Sequence, residues 1–134
     1  MFKKIDHIGV AVKNLGESLH VFKDILGMQY TGEEEVEEQK VKTAFLPVGE
    51  SEIELLESTS PDGAIAKFIE KRGEGIHHIA FEVDDLGEKL KELEKAGVRL
   101  IDKEPRYGAG GAQIAFLHPK STNGILIELC EHKS

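Results

Sequence analysis

The stretch His7-Ile8-Gly9-Val10-Ala11-Val12 returns 71 residues later as His78-Ile79-Ala80-Phe81-Glu82-Val83. Leu15, Gly16, Glu17 and Leu19 recur at the same offset as Leu86, Gly87, Glu88 and Leu90. The ends of the two halves match as well: Ile53-Glu54-Leu55-Leu56-Glu57 reappears as Ile127-Glu128-Leu129-Cys130-Glu131. An internal repeat restricts the fold more than any local propensity, because each half must be one copy of the same supersecondary unit. Each copy opens with a histidine on a strand and ends with a glutamate on a strand.

The first copy, about residues 5–57, predicts β-α-β-β-β. A strand over 5–12 alternates Ile8, Val10 and Val12 with His7, Gly9 and Ala11. Asn14 caps a helix, with Glu17 completing a capping box, and Leu15, Leu19, Phe22, Ile25 and Leu26 form its apolar face up to the stop at Gly27. A second strand starts at Tyr30 and runs into the acidic block Glu33–Glu38, which reads as a solvated hairpin or loop. Strands follow at 41–47 and 52–57. Residues 58–75 form a helical linker carrying Ile65, Phe68 and Ile69. The second copy, about 76–131, repeats the plan: a strand at 78–83, a helix capped by Asp85 with Glu88 and stopped by Gly97, and a strand at 98–102. A flexible turn at 107–112, a strand at 113–117, a loop at 118–124 and a last strand at 125–130 complete it. The expected class is α+β, one domain over 1–134, with helices on one face of each mixed sheet and the other face left open.

Four residues are singled out by the repeat: His7, Glu54, His78 and Glu128. A single strand histidine is ordinarily structural, and strand glutamates ordinarily face water. Here all four fall on the side opposite the apolar residues that the helices cover, and a carboxylate is costly there unless it meets water or a cation. Two imidazoles and two carboxylates make a mixed N/O site for a divalent ion such as Co²⁺, Mn²⁺, Fe²⁺, Ni²⁺ or Zn²⁺, with positions left over for substrate oxygens. His77 has the opposite parity, His20 lies on the exposed helix side and His132 in the tail, so none of these joins the predicted site.

The net charge of −8 argues against nucleic acid as a partner, since a basic patch is the usual footprint. The single cysteine, Cys130, cannot form an internal disulfide, reads as a small core residue, and is consistent with a cytoplasmic location. No apolar run approaches the ~18 residues of a membrane span, and Met1–Lys4 leads into a strand with no signal-peptide core.

The sequence resembles the vicinal oxygen chelate (glyoxalase/bleomycin resistance) superfamily, and within it the methylmalonyl-CoA epimerases. The resemblance is carried by Asp6–Val12, Glu54–Glu57, the linker Ile65–His78, and Gly108-Ala109-Gly110-Gly111 through Phe116-Leu117-His118-Pro119-Lys120. It implies a glyoxalase-like fold, in which two tandem βαβββ modules form a curved mixed sheet around a metal site. The metal ligands would be His7, Glu54, His78 and Glu128. Some epimerases carry glutamine at the Glu54 position, so the extra charge here bears on metal preference.

The implied activity interconverts (R)- and (S)-methylmalonyl-CoA by two-base 1,1-proton transfer through a metal-stabilised enolate. The implied bases are Glu38 and Glu128, with Glu37 the register-shifted alternative to Glu38. The implied metal is Co²⁺ first, with Mn²⁺, Zn²⁺, Ni²⁺ or Fe²⁺ as alternatives, and the implied assembly is a homodimer. The turn with Gly110 and Gly111 either admits the substrate carboxylate or is a plain hairpin loop. Lys120 and Arg106 are candidates for the CoA phosphates. The rival readings are a glyoxalase I, a non-catalytic small-molecule-binding module of the same fold, and, less well matched to four protein ligands, a metal-dependent dioxygenase.

Overall fold

The computed structural model describes residues 2–132. They divide into two compact units, His7–His77 and residues 2–6 with 78–132. The linker helix thus belongs with the first repeat, and the start of the first strand with the second.

The first unit takes its strands from β1 (Phe2–Ala11), β2 (Gly32–Val36), β3 (Val41–Val48) and β4 (Ser51–Ser58), in the order β2-β3-β4-β1. β1 runs parallel to β4, with Gly9 opposite Glu54 and Ala11 opposite Leu56, while β2, β3 and β4 are antiparallel. The second unit repeats this with β5 (Gly75–Val83), β6 (Arg106–Tyr107), β7 (Gln113–Leu117) and β8 (Ile127–Glu131), in the order β5-β8-β7-β6. β5 is parallel to β8, with Ala80 opposite Glu128, and β7 is antiparallel to β8. The βαβββ plan is therefore present twice.

Helix α1 (Leu15–Leu19) in the first unit and α3 (Leu86–Lys95) in the second start in the same way. Asn14 Oδ1 accepts from the Glu17 N–H at 2.8 Å, and Asp85 Oδ1 from the Glu88 N–H at 3.1 Å. A second acceptor comes from the end of the last strand of each repeat. Glu57 takes the Leu15 N–H at 2.6 Å and Glu131 the Leu86 N–H at 2.9 Å. Amide donors at a helix start have no intrahelical partner, so these repeat-equivalent glutamates fasten each helix to its sheet. Val12, Leu15, Ala44, Leu46 and Leu55 form the core beneath α1; Val83, Leu86, Leu90, Ala115, Leu117 and Leu129 form the one beneath α3.

Three expectations are corrected. The first helix does not run regularly to Gly27: after Leu19 it widens into a π-helical turn over His20–Ile25, and the Leu26 N–H bonds the Val21 carbonyl five residues back. The wider turn rotates Ile25 and Leu26 off the core face, leaving them 66% and 61% exposed. The acidic block is the solvated hairpin that its charge predicts: β2 pairs antiparallel with β3 across the turn Glu37–Gln39. Residues 32–36 form β2, an outer strand of the unit's sheet order with Glu33 and Glu35 exposed, where charge discourages further strand pairing. Residues 98–102 are not a continuous strand; they bridge β7 at Leu100–Leu117, with the Ile101 N–H on the Phe116 carbonyl and the His118 N–H on the Arg99 carbonyl, and the short strand forms later at Arg106–Tyr107. Nor is the second face of the first sheet wholly open. Helix α2 (Ala64–Arg72) packs Ile65, Phe68 and Ile69 against Ala11, Val41 and Leu56.

Candidate metal and active site

His7 lies on β1 and Glu54 on β4, and the parallel register brings their side chains together. His7 Nδ1 is 3.3 Å from Glu54 Oε2. In the second unit β5 carries His78 and β8 carries Glu128, and His78 Nε2 is 3.1 Å from Glu128 Oε1. All four residues are between 4% and 6% exposed. Each repeat therefore buries one imidazole against one carboxylate at the positions that the sequence singles out. A neutral imidazole and a carboxylate are both ligands for a borderline divalent cation, and a buried carboxylate is stable only when a donor or cation compensates its charge. The donor set fits the expected metal.

The surroundings of the two pairs differ. The His78 ring meets Phe116 edge-on, with centroids 5.6 Å apart and planes at 83°. Phe116 stands opposite Glu128 in the β7–β8 register. Its N–H donates to Asp102 Oδ2 at 2.9 Å, and the Arg106 guanidinium lies 5.6 Å above its ring. Arg106 Nε also pairs with Asp102 Oδ1 at 3.2 Å. Arg106, a candidate for the CoA phosphates, thus contacts Asp102 and the Phe116 ring while its side chain stays partly exposed.

In the first unit Glu38 sits exposed on a 3-10 turn, Glu37–Gln39, just before β3. The turn ends at Lys40, a non-glycine residue with φ of 54°. The Lys40 carbonyl accepts from the Thr59 N–H at 2.9 Å, and its ammonium meets Asp62 Oδ2 at 2.7 Å. That hydrogen bond from Lys40, with a second from Ser60, holds the Asp62 carboxyl down to about 2. The second repeat places a 3-10 turn, Ala109–Gly111, at the corresponding point. Gly110 and Gly111 there have φ of 71° and 74°, backbone that side chains disfavour. At Gly108 a Cβ would lie 2.8 Å from Ile114 Cγ2. Lys120 is exposed on a short turn, its N–H donating to His118 Nδ1 at 3.1 Å.

A further cluster escaped the sequence reading. His132 is not an idle tail residue: its Nε2 lies 2.6 Å from Asp6 Oδ1 and 4.0 Å from Cys130 Sγ. Cys130 packs among Ala112, Ile114 and Phe116 as a small core residue. Burial pushes its thiol far up, and the charges of Asp6, Glu128 and Glu82 add to that. The recurrence of Glu57 as Glu131 was visible in the sequence; the helix starts that they cap were the missing context.

Residues 6–116 match the family model of the glyoxalase/bleomycin resistance protein/dioxygenase superfamily, and the chain belongs to this superfamily. Within it, the chain is 40% identical to the mitochondrial methylmalonyl-CoA epimerase of Dictyostelium discoideum, over 96% of this chain and 78% of the relative. It is 45% identical to the uncharacterized Bacillus subtilis protein YqjC, over 97% and 93%. A solved structure of methylmalonyl-CoA epimerase in complex with methylmalonyl-CoA and NH4+ superposes with a TM-score of 0.96 at 37% identity, covering 100% of this chain and 97% of that one. The α+β glyoxalase-like fold is thereby shown. Among the described residues no helix is long and apolar enough to cross a membrane.

Proposed function

We propose that the chain is a metal-dependent epimerase of methylmalonyl-CoA, in which His7, Glu54, His78 and Glu128 hold one divalent ion between them. The observation that carries this reading is the pair of buried His–Glu contacts at repeat-equivalent positions, in a chain that resembles the substrate-bound epimerase along its whole length. The ion, Co²⁺ by preference, supplies Lewis-acid stabilisation of the negative charge that develops on the thioester oxygen.

The chain's own residues move the proton. C2 of the acyl group lies between a thioester and a carboxylate, and its C–H bond is the one that breaks. Glu38 takes that proton on one face, and the electron pair delocalises onto the thioester oxygen. Glu128 returns a proton to C2 on the opposite face; the roles reverse for the other epimer. General acid–base steps of this kind contribute roughly 10²–10⁴-fold each. Exposure makes Glu38 accessible to an incoming substrate, and the Lys40 contacts hold its turn in place. Gly110 and Gly111 offer backbone without side chains to the acyl carboxylate, and Lys120 is the candidate for the CoA phosphates. The reading includes a cytoplasmic homodimer.

The test is deuterium incorporation at C2 of methylmalonyl-CoA in D₂O, followed by NMR with metal-stripped protein, with Co²⁺ restored, and with Glu38→Gln. Metal-dependent exchange with inversion is expected, and Glu38→Gln is expected to lose inversion while keeping washout from one epimer. Turnover of the methylglyoxal–glutathione hemithioacetal with no exchange at C2 would contradict the proposal and assign a glyoxalase.

A further inference from the structure

Thr43 lies on β3, is 1% exposed, and among the described residues its Oγ1 is the buried side-chain polar atom left without a hydrogen-bond partner. Buried hydroxyls are almost always paired, so an orphan calls for a cause. Its position supplies one. Thr43 stands opposite Leu56, and Phe45, two residues on, stands opposite Glu54. Directly paired residues project to the same side of a sheet, as do residues two apart. Thr43 therefore shares its face with Glu54, one step along the strands from the carboxylate.

The repeat shows that the fold does not require this hydroxyl. In the second unit Phe116 stands opposite Glu128 and Ile114 opposite Cys130, so Ile114 occupies the place that Thr43 has in the first. Ile114 is buried and packs among Ala112, Phe116 and Cys130. An apolar β-branched side chain is thus accepted at this register, and the first unit keeps a polar one there without an internal partner.

We propose that Thr43 is a substrate-binding residue whose hydroxyl donates to an anionic oxygen of the acyl group lying over Glu54. This rests on the epimerase reading. The residue carries no charge and titrates at no accessible pH, so its contribution is one fixed donor in a dry part of the face. A hydrogen bond to an ionised oxygen in such a place changes kcat/KM by about 10- to 100-fold.

The experiment compares Thr43→Val, nearly isosteric, with Thr43→Ser, which keeps the hydroxyl. C2 exchange kinetics are read beside the melting temperature of the substrate-free protein. Thr43→Val is expected to lower kcat/KM by about 10- to 100-fold while raising Tm by about 2–5 °C, because an unpaired buried hydroxyl is removed. Thr43→Ser should retain kcat/KM within a few-fold. A merely structural threonine would not give that opposition. Unchanged kcat/KM in Thr43→Val, or a lowered Tm, overturns the assignment and leaves the epimerase reading standing. Wild-type protein that exchanges nothing at C2 overturns both.

Discussion

The two repeats keep the same frame and differ in what they hang on it. Both place a histidine on the first strand and a glutamate on the last, in contact at 3.3 Å and 3.1 Å. In both, a phenylalanine stands opposite that glutamate, Phe45 in one and Phe116 in the other. Both cap their helix with the next glutamate of the closing strand. The differences fall on the turn before the third strand, acidic at Glu37–Gln39 and glycine-rich at Ala109–Gly111. They fall also on the residue one step from the site glutamate, Thr43 against Ile114. Duplication preserves what builds the sheet and what buries each histidine against its glutamate. The proposed proton transfer at one carbon needs a base on one face and room for substrate on another, and a strictly symmetric molecule would supply two copies of only one of these.

The shared frame can be weakened on each side separately. Glu57→Ala and Glu131→Ala each remove a side chain that takes an amide at a helix start, and each is expected to cost about 1 kcal/mol, a fall in Tm of about 3–5 °C. Calorimetry of both variants checks whether the caps are equivalent; a loss in one repeat alone would break the symmetry claimed for the frame. A smaller effect sharpens the contrast between the turns. Asp62, which holds Lys40 beside the Glu38 turn, has its carboxyl lowered from 3.8 to about 2. A lowered folded-state value contributes stability above the unfolded value and loses it as pH falls through the folded one. The Lys40 contact should therefore be present above about pH 4 and vanish towards pH 2, and Asp62→Asn should flatten that part of an acid-unfolding curve slightly. The pair is exposed, so salt should shrink the difference.

The strand alternation around His7 and His78, and the caps at Asn14 and Asp85, were legible because each appears twice and a chance pattern seldom repeats in register. The π-helical turn at His20–Ile25 had no such signal, since Phe22, Ile25 and Leu26 also suit a regular helix. Residues 98–102 carry strand-forming side chains, yet their pairing with β7 stops at one bridge, Leu100 with Leu117, flanked by the bonds from His118 N–H to the Arg99 carbonyl and from Ile101 N–H to the Phe116 carbonyl. Thr43, and the contact of His132 with Asp6 across 126 residues, are visible only once the strands are paired. The charge of Glu33–Glu35 signals a solvated hairpin, and these residues form its outer strand, where exposure and strand geometry coexist.

The central claim is that two duplicated pairs serve one ion, and the direct measurement is the metal stoichiometry. Metal-stripped protein would be titrated with Co²⁺, following its d–d absorption, alongside His7→Ala and His78→Ala. One Co²⁺ per chain is predicted, with either substitution abolishing tight binding, because each removes a ligand of the same ion. Two ions per chain, each lost independently with its own histidine, would contradict the claim and make the repeats separate sites.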